Sequence, residues 1–301
     1  MGTGKKWNKR VVREAGQGYT FMSPTIFVLG LFVVAPIFYA IFLAFHRVEL
    51  LGGMSFNFIG FDNFTRVVDD TRAKIAIMNT AKYVAVVVPI QTALALILAA
   101  TLNAGMKGEK FFRIVYFLPT LTSSAVLTLI FMWMYNPEGL INNILAFVGL
   151  PTYNWINDPS VALNAIMMMN IWSTAPFFMV IYLAALQDIP DSMYEAAELD
   201  GANGIQKFWY ITVPLLRPVT SFAVIMGLIG TFQLFDQSYI FSGGSGGPSN
   251  STLTVVLLIY QYAFGTSGRM GYAAAIAFIL AFIILTATLI QRKMQKEESF
   301  Y

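Results

Sequence analysis

The sequence predicts an all-α protein that crosses a membrane with six helices. Of its 301 residues, 57% are hydrophobic and only 12% are charged, whereas a soluble domain carries about 25% charged residues. Six apolar runs are each long enough to cross a hydrocarbon core of about 30 Å. Basic residues gather on one side of these runs, which is the distribution that the positive-inside rule describes.

The first apolar run, residues 24–45, follows a polar stretch with five bases: Lys5, Lys6, Lys9, Arg10 and Arg13. The run is too long for the core of a signal peptide, and no clear cleavage site follows it, so we expect a retained anchor. Residues 1–23 are accordingly assigned to a cytoplasmic tail, and residues 24–77 to the first span with the extracytoplasmic loop after it.

Five further runs are assigned to one transmembrane domain, residues 78–291, with a cytoplasmic tail at 292–301. These runs cover residues 83–103, 114–135, 161–186, 219–241 and 272–290. Residues 253–262 are also apolar but too short to span, which indicates an interfacial or re-entrant piece on the extracytoplasmic side.

The positions of the bases predict the orientation of the chain. If both termini are cytoplasmic, thirteen of the nineteen Lys and Arg residues lie on the cytoplasmic side and Lys82 lies at a helix end. The extracytoplasmic side then holds five: Arg47, Arg66, Arg72, Lys74 and Arg269. This excess favours a multi-pass protein with both ends inside.

The composition offers no catalytic centre. The chain has no cysteine and one histidine, which excludes disulfides and thiolate metal sites. No complete phosphate-binding loop occurs, and no pair of carboxylates lies within a span. The net charge of +3 lies in short clusters, so it argues for topology and not for nucleic-acid binding. We therefore expect no enzyme activity, no cofactor and no bound metal.

A polar stretch between the fourth and fifth runs, residues 188–217, is here termed the acidic segment. Its first part contains five acids and no base, although cytoplasmic loops usually favour bases; the acids are Asp188, Asp191, Glu195, Glu198 and Asp200. This reversal indicates a docking surface.

Local signals predict two short helices in the acidic segment. Ser192 and Glu195 have the spacing of a capping box, and Gly201 suits a left-handed C-terminal cap. Asn203 can cap a second helix, which must stop near Pro214 because proline lacks a backbone donor.

The acidic segment resembles the signature loop of permease subunits of binding-protein-dependent ABC importers. That loop reads Glu-Ala-Ala, three residues, Gly, nine residues, Ile, one residue, Leu-Pro. Here the residues are Glu195-Ala196-Ala197, Gly201, Ile211 and Val213-Pro214, with Val213 in place of Leu as the one departure.

Further landmarks resemble the sugar-type permeases of the maltose, multiple-sugar and glycerol-3-phosphate group. They are Asn57-Phe58-Ile59-Gly60-Phe61-Asp62-Asn63-Phe64, Asn79-Thr80, Phe117-Leu118-Pro119, Asn170-Ile171-Trp172 and Gly246-Gly247-Pro248. The resemblance covers residues 57–291 and implies the type I ABC importer permease fold in a bacterial or archaeal cytoplasmic membrane.

The resemblance also implies partners. They are a second homologous permease, two ATPase subunits, an extracytoplasmic solute-binding protein, membrane lipid and a sugar substrate. The residues expected to couple the chain to an ATPase are Glu195, Ala196, Ala197, Asp200, Gly201, Ile211 and Pro214.

Polar groups inside apolar runs are costly in lipid and usually face a cavity or another helix. Matching the family's motifs to such groups gives a substrate pathway of Thr120, Ser124, Asn170, Ser173, Thr174, Gln233 and Asp236, with Trp172 placed to stack on a sugar face. Two other interpretations remain for these residues. The hydroxyls can bond their own backbone or a neighbouring helix, and Asp236 can pair with a base of the partner permease.

Two other classes of protein remain open. An ABC permease for another solute, such as glycerol-3-phosphate or a peptide, would differ in pocket chemistry. An ion-coupled secondary transporter would need intramembrane ionisable residues, of which only Asp236 qualifies.

Overall fold

The computed structural model describes residues 9–49, 55–105, 107–265 and 268–298. Long helices form a bundle, and shorter helices connect them. In chain order the helices are α1 (Lys9–Leu29), α2 (Ala35–Ala44), α3 (Asp62–Asp69), α4 (Thr71–Asn103), α5 (Glu109–Phe117), α6 (Ser124–Met134), α7 (Leu140–Phe147), α8 (Ala162–Gln187), α9 (Asp191–Leu199), α10 (Gly204–Lys207), α11 (Val213–Leu215), α12 (Arg217–Phe232), α13 (Asp236–Phe241), α14 (Val255–Phe264) and α15 (Met270–Glu298).

Within these residues, five helical segments are long and apolar enough to cross a membrane: Arg13–Ala44, Thr71–Asn103, Ala162–Gln187, Arg217–Phe241 and Met270–Met294. A sixth crossing is available from a helix pair that is bent by 101°. The predicted all-α bundle of six spans is thereby confirmed, with a break in the third span that the apolar pattern did not reveal.

The break in the third span lies between α5 and α6. A 3₁₀ turn, Leu118–Leu121, contains Pro119, which has no backbone N–H to continue an α-helix. Thr122 and Ser123 then adopt extended backbone, with ψ of 138° and 136°. The chain therefore turns sharply before α6 begins and leaves polar side chains at the bend.

The first span differs from its predicted limits. The helix already includes Lys9, and a π-helical turn at Gly30–Val34 joins α1 to α2 without a break. The predicted tail 1–23 is therefore helical from Lys9 and continuous with the first span. Positions 1–8 of that tail lie outside the described residues, as do 299–301 of the predicted C-terminal tail.

A small antiparallel hairpin, which the sequence analysis does not predict, follows the first span of the otherwise helical fold. β1 (His46–Glu49) pairs with β2 (Ser55–Phe58), and Arg47 lies opposite Asn57. The Asn63 side chain donates hydrogen bonds to the backbone oxygens of Ala44 and His46, at 2.9 and 3.2 Å. These bonds anchor the hairpin to the end of α2.

The apolar piece predicted at 253–262 forms α14, which is ten residues long. Leu257 and Leu258 are fully buried in a cluster that also contains Ala76 of α4 and Ile276 of α15. At about 1.5 Å per residue, α14 is too short to span, as the sequence indicates. It packs at the end of the bundle where α4 and α15 begin.

Candidate functional site

A cavity of about 440 Å³ lies at the break in the third span and is here termed the polar cavity. The 3₁₀ turn and helices α4, α8 and α12 contribute to its wall. Seven of the eight residues predicted to form a substrate pathway line it: Thr120, Ser124, Asn170, Ser173, Thr174, Gln233 and Asp236. The packing of the helices thus brings together residues that are far apart in the chain, such as Thr120 and Ser173, which are 53 positions apart.

Several hydroxyls of the polar cavity are engaged within the protein. Ser173 Oγ donates to the backbone oxygen of Asn170 at 3.1 Å. The one hydroxyl hydrogen of Thr174 is shared between that oxygen, at 2.8 Å, and Gln91 Oε1, at 2.7 Å. Thr120 Oγ1 donates across to the backbone oxygen of Ser173 at 3.4 Å. These bonds agree with the other interpretation of these hydroxyls, in which they hydrogen-bond the backbone of their own helix or of a neighbouring helix.

Other polar groups of the cavity have no hydrogen-bond partner within the described residues. They are the buried hydroxyls of Ser124 and Tyr83. An unpaired polar group in an apolar interior is costly. Their free donors and acceptors are therefore suited to a solute that carries hydroxyl groups. Tyr83 was not predicted, because it stands at the edge of an otherwise ordinary apolar run.

Gln91 is a second lining residue that the sequence analysis omitted. It is only 1% exposed on α4, and its Oε1 accepts a hydrogen bond of 2.7 Å from Thr174 Oγ1. Its Nε2 lies against Gly227 of α12, where an added Cβ would approach that nitrogen to 2.6 Å. The same criterion that selected Asn170, a polar residue inside an apolar run, could have found it.

Trp172 does not line the polar cavity and so does not occupy the predicted stacking position. It is 48% exposed and its ring packs against Phe131, with ring centroids 5.4 Å apart. Two residues along an α-helix correspond to a rotation of about 200°. Trp172 consequently faces away from the cavity that Asn170 lines.

The acidic segment forms the end of the bundle at which α8 ends and α12 begins. Helix α9 starts at Asp191 with Pro190 as its N-cap, and no side chain caps it. The predicted capping box is therefore wrong, because Ser192 lies inside the first turn. Gly201 adopts a φ of +80°, and the N–H of Ala202 donates to Ala197 O at 2.9 Å. The predicted left-handed cap is confirmed.

The second helix of the acidic segment begins as predicted. Asn203 and Gln206 form a reciprocal capping box, with hydrogen bonds of 3.0 and 2.8 Å. A π-helical turn at Phe208–Thr212 follows α10, and Val213 N–H donates to Phe208 O. This wider turn carries the chain into Pro214, and helical structure ends at Leu215, close to the predicted stop.

Two side-chain contacts hold the halves of the acidic segment together. The hydroxyls of Tyr194 and Thr212 share a hydrogen bond of 3.0 Å, and Lys207 Nζ lies 2.5 Å from Glu198 Oε1. Glu195 and Ala196 are exposed beside large exposed apolar side chains, which are Leu199, Ile205, Trp209 and Tyr210. The segment is therefore a compact unit with an apolar and acidic surface.

The chain matches the family described as binding-protein-dependent transport system inner membrane component over residues 91–297. It is 35% identical over 277 residues to the lactose transport system permease protein of Rhizobium radiobacter, covering 91% of this chain and 92% of that relative. It is 32% identical over 288 residues to the trehalose/maltose transport system permease protein of Thermococcus litoralis, covering 95% and 96%.

Solved structures resemble the fold as well. A bacterial ABC transporter involved in import of the acidic polysaccharide alginate gives a TM-score of 0.83 at 23% identity, covering 96% of this chain and 98% of that one. A bacterial alginate ABC transporter in complex with its alginate pentasaccharide-bound periplasmic protein also gives 0.83, at 21% identity and 96% of each chain. At this identity the likeness concerns the fold.

Proposed function

Because this chain belongs to the family of inner membrane components of binding-protein-dependent transport systems, we propose that it forms the pathway for a sugar or oligosaccharide together with a second, homologous permease. It is a multi-pass protein of the inner membrane and a transport subunit, not an enzyme. ATP hydrolysis then belongs to two separate ATPase subunits, and a solute-binding protein delivers the sugar.

The chemistry of the polar cavity carries this proposal. The described residues that line it supply neutral hydroxyls and amides, one acid, Asp236, and no Lys, Arg or His. Hydroxyl and amide groups both donate and accept hydrogen bonds, as sugar hydroxyls do. A phosphorylated solute such as glycerol-3-phosphate calls for basic partners, so a neutral sugar fits this cavity better.

The acidic segment supports coupling to an ATPase. Its first helix exposes Glu195 and Ala196, and its two halves are tied by Tyr194 to Thr212 and by Glu198 to Lys207. Because these contacts join its two halves, the acidic segment can move as one rigid unit and pass that movement on to α8 and α12. We infer that it sits on the ATPase in the cytoplasm, together with both termini, and shifts the spans between inward-open and outward-open states. The ATPase can bias these states only through contacts that differ between them.

The test is sugar uptake into proteoliposomes that contain the assembled importer, with the binding protein supplied on the opposite side from ATP. We expect ATP alone to support uptake of the matching sugar, and an imposed ion gradient without ATP to support none. Uptake driven by the gradient would instead assign the chain to the secondary transporters.

Reversing the charge of Glu195 tests, in the same uptake assay, whether the acidic segment is needed for coupling and not only for folding. Glu195→Lys should abolish ATP-driven uptake while the complex still inserts and assembles. Glu138→Lys reverses another exposed acid, at the opposite end of the bundle, and serves as the matched control. Normal uptake with Glu195→Lys contradicts the assigned docking role of the acidic segment.

A further inference from the structure

A second pocket of about 700 Å³ lies at the end of the bundle remote from the acidic segment and is here termed the outer pocket. It lies where α4 begins, where α14 ends and beside the glycine-rich turn after α13. Its wall combines aromatic and polar side chains, namely Tyr239, Tyr260, Phe264, Arg72, Gln261 and Arg269. It shares no lining residue with the polar cavity.

A cluster of four aromatic rings lies between the two spaces. Phe235 lines the polar cavity and packs against Tyr239 and Tyr260 of the outer pocket, with centroid distances of 5.4 and 5.2 Å. Tyr239 and Tyr260 are 5.3 Å apart, so these three rings form a triangle, and Phe264 joins it 5.5 Å from Tyr260. The cluster therefore reaches from the outer pocket to the pathway proposed above.

These rings are not hidden in an apolar core. Tyr239 is 36% exposed, Tyr260 is 38% exposed and Phe264 is 73% exposed. Exposed, contiguous aromatic side chains at the rim of a pocket are typical of binding surfaces. Phe235 packs against the buried cluster around Leu257 and Leu258, but core packing does not explain the exposure of Tyr239, Tyr260 and Phe264.

The polar side of the outer pocket is held in place by its own contacts. Arg72 Nη2 donates to Gln261 Oε1 at 2.5 Å, and Gln261 Nε2 donates to the backbone oxygen of Gly244 at 2.7 Å. Arg72 and Arg269 each lie over the ring of Tyr262, at 5.8 and 5.9 Å. Neither guanidinium forms an ion pair with a carboxylate in the described ranges of the chain, so most of their donors remain available.

Gly244 positions one ring of the cluster, that of Tyr239. Its φ of +80° is left-handed, and an added Cβ would lie 2.9 Å from the ring of Tyr239. Only glycine gives this turn both its backbone conformation and the room for the ring to lie against it. The backbone turn thereby holds Tyr239 against both Phe235 and Tyr260.

We propose that the outer pocket is a carbohydrate subsite, and that the four rings guide a sugar chain of two or more rings from it to the polar cavity. This inference rests on the function proposed above. Aromatic faces pack on the apolar faces of sugar rings, and the arginine and glutamine groups donate to the hydroxyls around them. Because the cluster reaches from the outer pocket to the polar cavity, a sugar chain of two or more rings can contact more than one aromatic side chain on its way.

The test is saturation-transfer difference NMR on the importer assembled with its partner subunits in nanodiscs, without binding protein, using lactose and maltotriose as probes. Tyr239→Ala combined with Tyr260→Ala should reduce the sugar signals about threefold to tenfold, as expected for the loss of aromatic contacts. Tyr260→Phe keeps the ring and should keep the signal. Phe282→Ala removes an aromatic ring that is 68% exposed on α15, away from both pockets, and is the matched control.

The same variants separate this subsite from the pathway itself. In uptake assays the double variant should raise the KM for the transported sugar, whereas Phe282→Ala should leave KM, kcat and basal ATP hydrolysis unchanged. Sugar signals equal to those of the wild type overturn the subsite while leaving the transport proposal intact. A defect that appears only when binding protein is present also overturns it, and assigns the pocket to protein docking. If the wild type neither binds nor takes up any sugar supplied, the proposed function fails and the subsite fails with it.

Discussion

Gln91 and Thr174 meet inside the bundle, where the Thr174 hydroxyl donates a hydrogen bond of 2.7 Å to Gln91 Oε1. Gln91 belongs to α4 and Thr174 to α8, and the Gln91 amide nitrogen lies against Gly227 of α12. One polar side chain of α4 thus contacts two further spans at the wall of the polar cavity. Its hydrogen bond makes the relative position of these helices specific in an otherwise apolar interior.

We expect Gly227→Ala to disturb this junction. The new Cβ would come within 2.6 Å of Gln91 Nε2, so the amide must move, at a typical overpacking cost of about 1–3 kcal/mol. Uptake in proteoliposomes and the melting temperature of the purified complex should both fall. Gly230→Ala, on the same helix, meets nothing within 4 Å and is the matched control. Equal behaviour of the two variants would show that the approach to Gln91 has no consequence.

Thr174→Val removes the donor and leaves Gln91 Oε1 without this partner. Hydrogen bonds between membrane helices contribute about 0.6 kcal/mol on average and up to about 1.7 kcal/mol, so a loss of stability in this range is expected from denaturant titration in detergent. Thr286→Val is the control, because Thr286 bonds only its own helix on an exposed face. A loss as large in Thr286→Val contradicts a specific role for the bond to Gln91.

Gly201→Ala should uncouple ATP hydrolysis from uptake. The φ of +80° at Gly201 costs an alanine about 1–2 kcal/mol, which shifts the turn between α9 and α10. We expect ATP hydrolysis by the complex to continue while uptake falls. Gly204→Ala tests the adjacent helix start, where the backbone is not left-handed and nothing lies within 4 Å. Wild-type uptake in Gly201→Ala is the outcome that would falsify the rigid coupling of this turn.

Asp70 gives a pH-dependent prediction at the outer end of the bundle. It accepts hydrogen bonds of 2.8 Å from the hydroxyls of both Tyr262 and Tyr272 and also caps α4. Burial alone would raise the pKa of Asp70, but the bonds from Tyr272, from Tyr262 and from two backbone N–H groups outweigh it and lower the pKa. The stabilisation is therefore present above the ordinary Asp pKa of about 3.9 and is lost as the pH falls through the lower folded-state value.

Asp70→Asn should remove this dependence and lower the stability of the complex at neutral pH, because an amide cannot accept on both side-chain atoms. The measurement is the melting temperature between pH 3 and pH 7. Asp69→Asn is the matched control, since the neighbouring acid is exposed. A wild-type acid transition that is unchanged by Asp70→Asn would assign the transition to other carboxylates.

Replacing Asn170 and replacing Trp172 should have different effects on the KM for the transported sugar. Asn170→Ala removes a lining amide and should raise the KM for the transported sugar about tenfold, the effect of losing about 1.4 kcal/mol of binding. Trp172→Ala should leave the KM within about twofold, because Trp172 faces away from the polar cavity. A larger effect of Trp172→Ala would restore the stacking role that the sequence predicts.

Local patterns predicted much of the acidic segment correctly. Gly201 and Asn203 act through hydrogen bonds to residues three to five positions away, so their roles can be deduced from short stretches of sequence. The capping box at Ser192 failed because the helix begins at Asp191 with Pro190 as its N-cap, two residues before the predicted N-cap, so Ser192 already lies in the first turn.

The sequence alone determined how many spans the protein has, where its acidic segment lies and which polar residues stand inside apolar runs, because length and composition decide these in a bilayer. Only the tertiary structure decided which of those residues share a cavity: it admitted Gln91, excluded Trp172 and joined Asp70 to Tyr262 across 192 positions. The physical reason is that lipid is as apolar as a packed helix face. An apolar run therefore has no amphipathic pattern to reveal which side meets a neighbouring helix, and that choice is made by packing between residues far apart in the chain.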